Sequence, residues 1–290
     1  MKSTLISLLS VVAALAAAGE PVAVDLRLHE ALQSRLRGMS QMPAYVDGIR
    51  SALQAGADPN REVNGKTAMD VAERISWDMQ QAYARYELTL AGAKADAEQA
   101  QSMLLFGACY GYPDFIERAL ACGASPNGMA DGATYTFVDG ETYLFTALDG
   151  FECHYDGNKT ESVRALLAGG ADPNIPNRKD GLVPLLCWWC TPEQMELLLR
   201  HGADVNVTDA EGRNVLMRKL KHAFPLKCEK MIRLLVSAGL SLNHKDNSGL
   251  SVMDYALRIQ KRNRGLKHVS PETLKTDAAM IELLRSLGAE

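Results

Sequence analysis

One phrase recurs along the chain and limits what it can fold into. It reads LQAGADPN (53–60), LACGASPN (120–127), LAGGADPN (167–174), LRHGADVN (199–206) and VSAGLSLN (236–243), with weaker echoes in TLAGAKAD (89–96) and the terminal RSLGAE (285–290). The glycines of these phrases are Gly56, Gly92, Gly123, Gly170, Gly202, Gly239 and Gly288. Their spacings fit a base period of about 33 residues with insertions. Self-similarity at that period means one small supersecondary unit used repeatedly. A unit of that size cannot bury its apolar face alone and has to stack on its neighbours.

A second phrase lies between the first. The turn pairs Asn64-Gly65, Asp139-Gly140, Asp180-Gly181, Glu211-Gly212 and Ser248-Gly249 precede TAMDVA (67–72), TYLFTA (142–147), VPLLCW (183–188), NVLMRK (214–219) and SVMDYA (251–256). The closing glycine fits a helix that ends in the left-handed conformation, which glycine adopts at least cost. The Asp or Asn after it seeds a tight turn by bonding its own backbone. These residues resemble the ankyrin repeat family, whose pattern is a turn, a T-P-L-H-x-A helix, a second helix ending in L-L, and then G-A-D-x-N. The fullest match is SMLLFGACYGYPDFIERALACGASPN (102–127), and the resemblance extends over residues 28–290. It implies an all-α ankyrin-repeat solenoid of about six to seven helix-turn-helix repeats with β-hairpin-like turns. The chain departs from the pattern at T-P, which survives only as Val183-Pro184 and as lone Thr67 and Thr142, and it lacks the family's histidine at all five helix starts. The stretch from Trp77 to Gln101 reads either as one long helix or as a degenerate repeat's second helix and connection.

The first residues carry an address. Lys2, an apolar run from Leu5 to Leu15, and Ala16-Ala17-Ala18 have the make-up of a secretory signal. The run is too short to cross a bilayer, which needs ~20 apolar residues. A signal peptide over 1–18 and a mature ankyrin-repeat domain over 19–290 without a transmembrane segment are therefore expected. The signal resembles a bacterial one, which implies the periplasm, or secretion where the source is not Gram-negative. A net charge of -4 at pH 7 argues against nucleic acid as a partner, since that calls for a strongly basic face.

Export makes disulfides permissible, and LLCWWC (185–190) places two of six cysteines three residues apart. The expected setting is the first helix of the repeat that starts at Val183. Cys187 would then face the core and Cys190 would sit on the link to the next helix. Thr191, Pro192 and Gln194 supply a cap, a first helical residue and a capping box for that next helix. A thiol-redox pair is one reading of Cys187 and Cys190, but no strand-helix-strand alternation supports it. A zinc site drawn from Cys153, His154, Cys187 and Cys190 is another, made awkward by its adjacent Cys-His ligands. Cys109, Cys153, Cys190 and Cys228 fall at helix links of successive repeats. A structural disulfide, Cys190 to Cys228 or Cys153 to Cys190, is therefore the reading placed ahead of catalysis. Six reduced, small apolar residues remain the plain alternative.

No catalytic motif appears, so neither enzyme activity nor a cofactor is expected. Binding remains, and insertions on a rigid scaffold are where it concentrates. GMADGATYTFVDGETY after Asn127 reads as a protruding β-hairpin carrying Tyr135, Phe137 and Tyr143. FECHYDGNKT (151–160) adds Phe151, His154 and Tyr155 in the same repeat. These six residues are the candidate partner-binding set, since exposed aromatics are frequent binding anchors. A third insertion (259–275) carries Lys261, Arg262, Arg264, Lys267 and Lys275. It reads as a solvated loop, with an acidic protein surface or anionic lipid as the functional alternative. The resemblance implies an exported protein-binding module. One role is that of a periplasmic immunity protein, which binds and inhibits a secreted antibacterial effector such as a lipase or wall hydrolase from a type VI secretion system. The alternative is an accessory or scaffold protein for an envelope enzyme.

Overall fold

The computed structural model describes residues 23–76, 78–130, 140–148, 158–221, 229–266 and 269–290. The expected signal peptide lies outside them. The described residues are all-α, and their only strand-like features are isolated antiparallel bridges at turns: Val63 with Lys66, Met129 with Thr142, and Thr208 with Asn214. Two compact units divide the chain, Met1–Gly107 with Asp114–Ser125, and Ala108–Pro113 with Pro126–Glu290.

In the first unit, α1 (Ala23–Gln33) pairs with α2 (Met42–Gln54), and α3 (Ala68–Ala72) with α4 (Asp78–Leu90). α1 also packs on α3 and α2 on α4, which makes two layers. α5 (Ala97–Tyr110) and α6 (Pro113–Ala121) follow, with Ala108–Pro113, at and between their ends, counted in the second unit. The ambiguous stretch after Trp77 is thus a degenerate repeat's second helix, ended at Gly92 with φ 91. Phe115 of α6 meets Tyr83 and Tyr86 of α4 and Phe106 of α5 at ring-centre distances of 5.1, 4.4 and 5.3 Å. Aromatic contacts of that kind add to what area burial alone contributes.

The second unit holds four more pairs. They are α7 (Tyr143–Leu148) with α8 (Lys159–Ala168), a 3-10 turn (Pro184–Leu186) with α9 (Pro192–Arg200), α10 (Val215–Lys221) with α11 (Glu229–Ser237), and α12 (Val252–Gly265) with α13 (Pro271–Ser286). The first members pack in a row, α7 on the 3-10 turn, that turn on α10, and α10 on α12; α8, α9 and α11 form a second row. Leu144, Leu166, Leu185 and Met195 lie fully buried between the rows.

All seven closing glycines have φ between 88 and 96, the weak echoes at Gly92 and Gly288 included. The turn glycines form a second class, with φ between 71 and 77 at Gly65, Gly140, Gly181, Gly212 and Gly249. At Gly212 the neighbouring repeat adds a steric reason, because a β-carbon there would lie 2.5 Å from the Asn247 side-chain oxygen.

The last residue of the phrase does more than shape its own turn. Asn206 donates its amide to the Gly239 carbonyl at 3.2 Å and accepts from the Ser241 N–H at 3.0 Å, both in the next repeat. Asn174 does the same to Gly202 and Asp204 at 2.9 and 2.8 Å. Asn60, Asn127 and Asn243 repeat the arrangement. Each clamps one carbonyl and one N–H of the glycine turn that follows the next repeat's second helix, groups that would otherwise need water as a partner.

The start of the first helix shows what caps decide. Thr67, Thr142, Asn214 and Ser251 each accept a hydrogen bond from the backbone N–H three residues on, and an α-helix follows each. Val183 occupies the same place and makes no side-chain cap. Only one 3-10 turn follows it, so the α-helix expected over LLCWWC does not form.

Candidate protein-binding site

The insertion after Asn127 rises from a stem that the structure defines. The Ala130 N–H donates to the Glu141 carbonyl at 2.8 Å, the Gly140 N–H to the Ala130 carbonyl at 2.9 Å, and the Tyr143 N–H to the Gly128 carbonyl at 3.3 Å. This is antiparallel pairing, as a β-hairpin requires. The next repeat's turn braces the stem, because the Arg178 N–H donates to the Gly140 carbonyl at 2.6 Å. Beside the stem lies a recess of about 630 Å³, lined by Asn127, Gly128, Met129, Ala130, Gly140, Arg178 and Lys179. The exposed Arg178 and Lys179 give it a cationic side.

Tyr135 and Phe137, which the insertion carries, lie outside the described residues, as do Phe151, His154 and Tyr155. Tyr143 is a correction. It is 4% exposed, because its ring packs over Gly128, where a β-carbon would come within 2.4 Å of it. It is a foundation of the stem and presents no surface to a partner.

No protein-family model matches the chain. It is similar to an ankyrin repeat protein of Acanthamoeba polyphaga mimivirus, 29% identical over 123 residues, which are 37% of this chain and 20% of that protein. An ankyrin repeat protein of Fowlpox virus (strain NVSL) is 30% identical over 119 residues, 39% of this chain and 35% of the viral protein. The matched region thus spans about a fifth and a third of these relatives. The fold is an all-α ankyrin-repeat fold.

At the opposite end of the helices from the turns, the ankyrin-type repeats of the second unit are joined through their links. The buried ammonium of Lys219, near the end of α10, donates to the carbonyls of Cys187 and Cys190 at 3.2 and 2.9 Å and to that of Trp188. Lys159, at the start of α8, has the same role. It reaches the Ala108, Cys109 and Thr146 carbonyls at 3.0, 2.7 and 3.3 Å. An ammonium offers three donors and no acceptor, which suits a cluster of carbonyls that converge at a link.

LLCWWC is therefore a bracketed turn. Cys187 and Cys190 are each 2% exposed, and Trp188 and Trp189 stand outward at 38% and 40%. The two indoles lie with centres 5.7 Å apart. Cys190 is a free thiol, so it joins neither expected disulfide; Cys153 and Cys228 lie outside the described residues. Its sulfur faces the interior and contacts the Thr191 carbonyl at 3.8 Å. Burial pushes its pKa well up, and the Lys219 charge offsets that only in part. This is the reverse of the lowered pKa that a reactive thiol needs. Among the described residues no three His, Cys, Asp or Glu side chains converge as a metal ion would require. Thr191 and Gln194 form the expected capping box at 3.3 and 2.9 Å, and His201 is tied to the Leu197 carbonyl at 2.9 Å. Sequence reasoning missed the two lysine brackets and the outward indoles. Their only sequence signals were a lysine beside a helix link and an aromatic pair at a link too short to bury it.

Proposed function

We propose that the chain is a non-enzymatic, exported protein-binding module whose partner docks on the insertion between Ala130 and Gly140. The braced stem carries this reading. The stem residues, tied by their own antiparallel bonds and by the Arg178 N–H, are held in place before a partner arrives, so less ordering entropy is lost there on binding. Tyr135 and Phe137 supply apolar anchors, and Arg178 and Lys179 supply charge for an acidic group on the partner. Similarity to ankyrin repeat proteins supports a protein as that partner. No helix among the described residues is long and apolar enough to cross a membrane, and the signal-like residues 1–18 support export to the periplasm. The role that fits an irregular insertion on a regular scaffold is inhibition of one secreted antibacterial effector, as an immunity protein.

A photo-crosslinking residue in place of Phe137, compared with one in place of the exposed Lys230 of α11, tests this in the producing cells. One discrete protein adduct from position 137 alone is expected, and a toxin-like hydrolase in it supports immunity. An envelope enzyme in that adduct replaces the immunity role with an accessory one. Adducts identical at both positions contradict the docking site.

A further inference from the structure

The last helix pair of the second unit is longer than its neighbours, and the excess lies at the link end. α8, α9 and α13 all stop two residues before their closing glycine, yet α13 has 16 residues where α8 has 10 and α9 has 9. The extra residues are therefore N-terminal and extend the pair by about 10 Å beyond the other links. α12 runs alongside for 14 residues, and its Asn263 amide donates to the buried Asp277 carboxylate at 2.9 Å. The basic segment expected as a solvated loop is thus two packed helix ends and the short link between them.

Charge and apolar surface gather at this edge. Arg258, Lys261, Arg262, Arg264 and Lys275 are all exposed, and Glu272 is the one exposed carboxylate among the described residues of 255–278. Every large hydrophobic side chain of the second unit that is exposed, among the described residues, stands at or beside the same edge: Trp188 (38%), Trp189 (40%), Leu257 (41%) and Leu266 (56%). The Trp188–Trp189 link and the 266–270 link both join a first helix to a second. α10, whose Lys219 brackets the tryptophan link, packs on α12.

We infer that this edge is a docking surface for an anionic phospholipid bilayer. Indoles favour the bilayer interface, with their rings at headgroup level. Leucine tips reach the acyl boundary, and lysine and arginine stems lie along it with their charges at the phosphates. Each cation held near an anionic leaflet strengthens binding about fivefold. Two exposed indoles, two exposed leucines and five exposed cations supply those elements, and the cations complement the leaflet's charge on a chain whose net charge is -4. The proposal does not depend on the identity of the protein partner.

The full chain, sedimented with phosphatidylcholine vesicles with and without one quarter phosphatidylglycerol, tests it. Binding at least tenfold stronger to the anionic vesicles is expected, with most of it lost at high salt. K261Q/R262Q/R264Q should weaken it more than about 30-fold and W188A/W189A about tenfold. The melting temperature should be little changed in both variants because the side chains are exposed. Equal binding to neutral vesicles overturns the proposal, as does anionic binding that neither variant changes. Retention on a polyglutamate matrix without vesicle binding also overturns it and makes the edge a site for an acidic protein.

Discussion

The residue that closes the repeat phrase has two different jobs, and the first unit holds both. Asn60 in the first unit, like Asn174 and Asn206 in the second, reaches forward and clamps the next repeat's glycine turn. In the phrase after Asn60 the same place is held by Asp96, which turns inward instead. Its carboxylate accepts from the Gln99 N–H at 2.8 Å while its own N–H donates to the Gln99 side chain at 3.0 Å. That is a capping box for α5, which starts at the next residue because no turn intervenes. The clamp is then made by Gln101, bonded to both the N–H and the carbonyl of Ser125 at 3.0 and 2.9 Å. The interaction between repeats is kept while the residue that makes it moves.

The link ends differ in the same spirit. The second unit brackets its links with ammonium groups, three carbonyls each for Lys159 and Lys219, whereas in the first unit the Gln80 amide holds the Ser34 carbonyl at 2.8 Å. Lys219→Met should therefore have the largest effect, costing about 3 kcal/mol in urea unfolding, since buried carbonyls lose a charged donor. Asp209→Asn comes next at roughly 2–3 kcal/mol, because the buried carboxylate pairs with Arg213 and Arg218, each at 2.7 Å, and its loss leaves two guanidiniums short of a partner. Burial pushes the Asp209 carboxyl up, but the hydrogen bonds from Arg213 and Arg218 outweigh this and hold it below the usual carboxylate range. Its contribution is complete above the ordinary aspartate pKa of about 3.9 and is lost as pH falls through the lower folded value. Acid titration of stability should flatten in the variant over that window.

Asn206→Ala should cost about 2 kcal/mol for two backbone groups left unclamped, and Gln80→Ala about 1 kcal/mol. The smallest effects separate the two jobs of the closing residue. Asp96→Ala and Gln101→Ala should each cost about 1 kcal/mol by different routes, one as a lost cap and one as a lost clamp. Helix content near α5 should fall only in the first. A fall in both would merge the two jobs.

What could be read in the sequence followed from local rules. The closing glycines were legible because a left-handed helix end admits few other residues, and Gly92 and Gly288 were found even where the rest of the phrase had decayed. The cap and box of Thr191 and Gln194 were legible because their partners lie three residues apart. The clamps and lysine brackets were not, because Asn206 and Lys219 bond to groups 29 to 35 residues away. LLCWWC was misread since its apolar run suggests a helix, while Val183 without a cap allows a single turn. The extended α12 and α13 were misread as a loop on their charge, although Ser270 and Pro271 already mark a helix start. At the candidate site the stem was expected as a hairpin, but burial of Tyr143 depends on Gly128, a contact that alternation along the strand does not reveal.

Docking of a protein partner on the 131–139 insertion, as proposed above, is tested most directly by one chimera. Gly140 and Ala130 already share the hydrogen bond of a tight turn, so Asn-Gly in place of 131–139 should close the stem as a two-residue hairpin. Titration calorimetry with the crosslinked partner should show at least a 100-fold loss of affinity in this chimera while its melting temperature stays within about 2 °C of the parent. Affinity retained without the insertion would place the partner's contact elsewhere on the molecule.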